Sequence, residues 1–117
     1  MSGLFSRVFG TKSAALKWFD VADVQSRLGN VLLVDVREPE EYASPPGHLP
    51  GALNVPLADV QGRADELGAS GKPVVLVCKT DRRSARAAEA LLAAGLRDIA
   101  VLRGGTDGWH AQGLELE

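Results

Sequence analysis

The chain has 117 residues, 45% of them hydrophobic and 24% charged, with a formal net charge of −2. That is enough apolar chain for one domain with its own core, and too little net charge to argue for a nucleic-acid or anionic partner. One cysteine and two histidines exclude an internal disulfide and a standard structural zinc site, so no metal or cofactor is expected, and a lone thiol fits a reducing, cytoplasmic setting.

The first residues carry Arg7, Lys12 and Lys17 and no acid before Asp20, with Leu4, Phe5, Val8 and Phe9 at helical spacing. They lack the continuous apolar core and cleavage site of a secretory signal, and no run approaches the roughly 20 apolar residues of a membrane span. Residues 1–16 are read as a helical lead-in, in preference to an amphipathic anchor on a membrane or partner. The domain proper is expected over 17–117.

Asp20 is placed to N-cap a helix over 21–28, which Gly29 ends. "VLLVDV" at 31–36 is a short, continuous, β-branched run, the pattern of a strand buried on both faces. "EPEEY" makes one helical turn with Pro39 in its first turn, and "SPPGHLPGA" is loop. "LADVQGRADEL" is weakly helical and interrupted by Gly62. "PVVLVC" predicts a second buried strand at 73–78.

Ser84 to Ala94 predicts a helix closed by Gly95, with Ala88, Leu91 and Leu92 toward the sheet. Arg86 and Glu89 face water and pair at i, i+3. "IAVL" at 99–102 is a third strand, and "RGGTDGWHAQG" a tight loop with a short terminal helix. Strands alternating with helices predict an α/β domain around a mostly parallel sheet.

The stretch "VVLVCKTDRRSARAA" sets Cys78 where an apolar strand gives way to a helix. Ligands of an open parallel sheet bind beyond the carboxyl ends of its strands. A loop there can turn backbone N–H groups inward beside the positive end of the helix dipole, a cradle for an anion and an environment that favours a thiolate. Lys79, Arg82 and Arg83 add cations, and arginine clasps an oxyanion with two donors. The plainer reading, a small buried residue ending a strand among solvated loop charges, stands beside it on these features alone.

Four stretches, "VDVREPEEY", "GHLPGALNVP", "CKTDRRSARAA" and "LRGGTDGWHAQG", resemble the rhodanese (thiosulfate sulfurtransferase) family in order and spacing, across about residues 17–113. The resemblance implies a five-stranded, mostly parallel sheet flanked by helices on both faces, with Cys78 as the catalytic residue. It implies that Cys78 takes sulfane sulfur from a small donor, thiosulfate or a persulfide, and passes it to a thiol, protein or cyanide acceptor. Lys79, Thr80, Asp81, Arg82, Arg83 and Ser84 then form the active-site loop. Arg83 is expected to orient the donor and the Ser84 side chain to satisfy a loop N–H. Asp35 and Arg37 match the family's Asp-x-Arg and are expected to brace the site as an ion pair, and His48 to be structural rather than a base. Gly104 and Gly105 match a Gly-Gly turn, Trp109 a packing residue, and His110 is expected at the surface.

Two departures stand out. Family loops often carry glycine where this chain has Asp81. Asp tolerates a positive φ if one is required there, and its carboxylate at the rim would repel a dianionic donor. The proline-stiffened "ASPPG" ahead of His48 is slightly longer than usual and expected to reshape the pocket entrance. Two alternatives compete with sulfur transfer. One is a non-catalytic rhodanese-like binding module. The other is a small phosphatase or arsenate reductase, whose loop is one residue longer with arginine six positions after the cysteine. Here that position is Ser84.

Overall fold

In a computed structural model, which describes residues 16–117, five short strands form one sheet: β1 (Leu16–Phe19), β2 (Leu32–Asp35), β3 (Leu53–Asn54), β4 (Val74–Val77) and β5 (Ile99–Leu102). Their order is β1-β5-β4-β2-β3, and every pairing is parallel. The expectations for residues 1–15 lie outside the described residues.

β2, β4 and β5 are the apolar runs read from the sequence, each a residue or two shorter than the run or equal to it. β1 and β3 are edge strands, with Trp18 and Leu53 partly exposed. Their sequences, "LKWF" and "LN", carry no strand pattern of their own and extend because a neighbour supplies a hydrogen-bonding edge.

Side chains alternate across the sheet and divide the core in two. Val74 and Leu76 pack with Val34, Val36 and Val101 on one face, beneath the helices α3 (Leu57–Val60), α4 (Ala64–Gly68) and α5 (Arg82–Ala93). Val75 and Val77 pack with Leu33, Ala100 and Leu102 on the other, beneath α1 (Val21–Gln25) and α6 (Gly105–Ala111), through Val21, Val24 and Trp109. A further single turn, α2 (Pro39–Ala43), follows β2 and starts with the proline at its first position, as the sequence implies.

Three local readings need correction. α1 ends at Gln25 and continues only as turns to Gly29, whose φ is +88°. The Leu57–Gly68 stretch is helical and interrupted at Gly62 as expected, by a 3-10 turn over Gln61–Arg63 that separates α3 from α4. α5 begins at Arg82, two residues earlier than expected, so the loop after Cys78 is only three residues long before helical geometry sets in. On α5 the buried residues are Ser84, Ala87, Ala88 and Leu91, while Leu92 is half-buried. Arg86 and Glu89 are both exposed, and no ion pair joins them.

Candidate active site

β4 lies at the middle of the sheet, so its carboxyl end is flanked by strands on both sides. Cys78 is the first residue past that end and is 1% exposed. Its Sγ faces Ser84, whose backbone N–H donates to it at 3.4 Å and whose Oγ lies 3.3 Å away. Ser84 is fully buried in the first turn of α5, so the helix start is folded back onto the sulfur.

Between these residues the amides of Lys79, Thr80, Asp81, Arg82 and Arg83 donate to no protein acceptor among the described residues. The loop's carbonyls are occupied instead. Thr106 N–H donates to the Cys78 carbonyl at 2.9 Å and Asp107 N–H to that of Lys79 at 3.0 Å. Gly105 permits this docking: its φ is +58°, and a Cβ there would stand 2.2 Å from the Cys78 carbonyl oxygen. Committed carbonyls and uncommitted donors give the loop the polarity an anion requires.

The cations around the loop are not equivalent. Lys79 Nζ reaches both carboxylate oxygens of Asp107 at 2.9 Å. Arg83 donates to both oxygens of Glu41, at 2.7 and 3.1 Å. That double hydrogen bond holds the Glu41 carboxyl below its usual range and the Arg83 guanidinium above its own. Arg82 and Arg86 have no carboxylate partner among the described residues. Both line, with Cys78, Lys79, Thr80 and Arg83, an open pocket of about 350 Å³.

Asp81 does not line that pocket. Its φ is −152°, so the position makes no demand for a left-handed backbone, and its Oδ2 accepts the Gly104 N–H at 3.3 Å. The Asp81 carboxylate ties the cysteine loop to the Gly104–Gly105 turn.

Asp35 and Arg37 form an ion pair with 0% and 5% exposure. Arg37 Nη2 donates to Asp35 Oδ2 at 2.8 Å and to the Gly47 carbonyl at 3.0 Å, while Arg37 N–H returns to Asp35 Oδ1 at 3.0 Å. The end of β2 is thereby fastened to the loop before His48. The His48 ring stacks on Tyr42 at 3.7 Å, and its Nδ1 lies 3.0 Å from the Tyr42 carbonyl. None of the hydrogen bonds of His48 reaches the cysteine loop. His110 is exposed and Trp109 buried. Ser44, Pro45 and Pro46 line a neighbouring groove of about 380 Å³ that shares Lys79 with the Cys78 pocket.

Three residues at this site, Glu41, Asp107 and Arg86, are not assigned to it by the sequence, which gives Arg86 only a helix-surface pairing with Glu89. "EPEEY" did carry one signal for Glu41, the Glu38-x-x-Glu41 spacing of a capping box, and Glu41 Oε1 accepts the Glu38 N–H at 3.1 Å. Among the described residues, no group of three or more His, Cys, Asp or Glu side chains is arranged to hold a metal ion. No helix among them is long and apolar enough to cross a membrane.

A model of the rhodanese-like domain matches residues 20–112. An uncharacterised Bacillus subtilis protein, YqhL, is 43% identical over 77 residues, 66% of this chain and 59% of its own. A sulfurtransferase of Allochromatium vinosum is 36% identical over 87 residues, covering 74% of this chain and 78% of its own. Among solved structures, a rhodanese-related protein from Thermoplasma volcanium superposes with a TM-score of 0.72 at 27% identity, over 84% of this chain and 94% of that one. The chain spans 40% to 59% of the length of several curated relatives, YqhL among them.

Proposed function

The chain belongs to the rhodanese-like domain family, and we propose that it is a sulfurtransferase that carries sulfane sulfur as a persulfide on Cys78. One observation carries the reading: a nearly inaccessible sulfur at the end of the central strand, held against the start of α5, beside a run of amides with no protein acceptor among the described residues. The name of the Allochromatium relative agrees with it.

In the first half-reaction the Cys78 thiolate attacks the outer sulfur of the donor. With thiosulfate the S–S bond breaks, sulfite leaves with the electron pair, and Cys78 becomes a persulfide. The terminal sulfur is anionic, and the amides of Lys79 to Arg83, with the α5 amino terminus, are what stabilise it. In the second half-reaction an acceptor nucleophile attacks that terminal sulfur and Cys78 leaves as thiolate. Sulfur moves as a neutral atom and no outside oxidant is needed. The chain has a single cysteine, so the acceptor, a small thiol or a protein cysteine, comes from outside it. Persistence of the reduced thiol suits a reducing compartment such as the cytoplasm.

Asp35 and Arg37 act here by bracing and His48 by packing; none is assigned a proton-transfer role. Ser84 supplies an amide and a hydroxyl to the sulfur, and Arg83 is the loop cation available to a donor once Glu41 lets it go.

The test is intact mass after incubation with thiosulfate and, separately, with a low-molecular-weight persulfide, using Cys78→Ser as control. A gain of one sulfur atom that cyanide removes and that the Ser variant lacks is the expected result. A folded, reduced protein that gains no sulfur from either donor would overturn the reading and leave a non-catalytic binding module as the alternative.

A further inference from the structure

Arg82 and Arg86, which have no carboxylate partner among the described residues, are four residues apart in α5 and so share one face of the helix. Both are exposed, yet both line the pocket that holds Cys78. Lys79 and Arg83, which line the same pocket, are neutralised by Asp107 and Glu41. The uncompensated positive charge of the pocket is therefore carried by Arg82 and Arg86.

Arg86 stands one helical turn, about 6 Å, further from the loop than Arg82. Thiosulfate concentrates its negative charge within a bond or two of the transferred sulfur. A donor that uses Arg86 must carry negative charge several bonds away from that sulfur. We infer that Arg82 and Arg86 form a subsite for the carboxylates of a thiol persulfide, and that the preferred donor is a carboxylate-bearing persulfide rather than thiosulfate. This rests on the sulfurtransferase reading. The covalent step is the same: Cys78 Sγ bonds to the terminal sulfur, the donor S–S bond breaks, and the thiol leaves as its thiolate with its carboxylates unchanged.

Loading of Cys78 is followed by mass against donor concentration, with glutathione persulfide as the carboxylate-bearing probe and 2-mercaptoethanol persulfide as the carboxylate-free one. Arg86→Gln raises the half-saturating concentration of glutathione persulfide about two- to five-fold, the range for an exposed ion pair. It shifts that of the carboxylate-free persulfide less. Arg86→Lys restores most of the difference, and added salt erodes it in the wild type. Equal shifts for both donors, or no shift for either, in a wild-type protein that loads would overturn the subsite and leave sulfur transfer standing. Failure of the wild type to load with any donor would overturn both.

Discussion

Arg83, in the first turn of α5, is clasped by the carboxylate of Glu41 from α2, through hydrogen bonds of 2.7 and 3.1 Å. Both side chains are about one-third exposed, and the arginine also lines the Cys78 pocket. The loop cation best placed to meet a donor oxyanion is thus already occupied, and a donor must compete with Glu41 for it.

Glu41→Gln removes the competing charge while keeping the shape. The expected outcome is a lower half-saturating thiosulfate concentration, by about two- to five-fold on the worth of a partly exposed ion pair. Steady-state kinetics with cyanide as acceptor checks it, and a higher value would mean that Glu41 positions Arg83 rather than withholding it.

The same pair predicts a pH dependence of stability. Hydrogen bonding to Arg83 lowers the Glu41 carboxyl below its ordinary value of 4.5, so the native state favours the ionised form. Its contribution is full above that value and is lost as pH falls through the lowered one. With this much exposure the contribution is under about 1 kcal/mol. Urea denaturation should show a smaller loss of stability on acidification in Glu41→Gln than in the wild type, and equal losses would refute the linkage.

Asp81 ties the cysteine loop to the Gly104–Gly105 turn. Asp81→Ala removes the acceptor of the Gly104 N–H and should cost about 1 kcal/mol. Asp81→Asn retains an acceptor oxygen, and its thiosulfate affinity should be close to that of the wild type. A marked gain in affinity for Asn would support the electrostatic account expected from the sequence.

Arg37→Ala leaves Asp35 charged, fully buried and without its cation. Breaking such a pair by deleting one partner costs about 3–5 kcal/mol. The expected result is a large fall in denaturation midpoint, with any protein that remains folded still able to load Cys78. A stable variant would show that water or a rearranged loop compensates Asp35.

The sequence by itself determined three strands, α5 and the candidate nucleophile. "LLVD", "VVLV" and "IAVL" are legible because strands covered on both faces must be apolar throughout. Cys78 is legible as a candidate because it is the single thiol of the chain and the stretches around it resemble one family in order and spacing. The edge strands β1 and β3 are illegible, since their extended form comes from a neighbour's hydrogen bonds rather than from their own residues. The early start of α5 is likewise a consequence of docking: α6 holds the Cys78 and Lys79 carbonyls and leaves the chain only three residues before the helix. Only the tertiary structure decided which charges near the sulfur are free. Glu41 reaches Arg83 across 42 residues and Asp107 reaches Lys79 across 28, whereas the local pairing expected of Arg86 with Glu89 does not form. An ion pair depends on where two side chains end up in space, and in this fold the loops that meet at the carboxyl edge of the sheet come from distant parts of the chain.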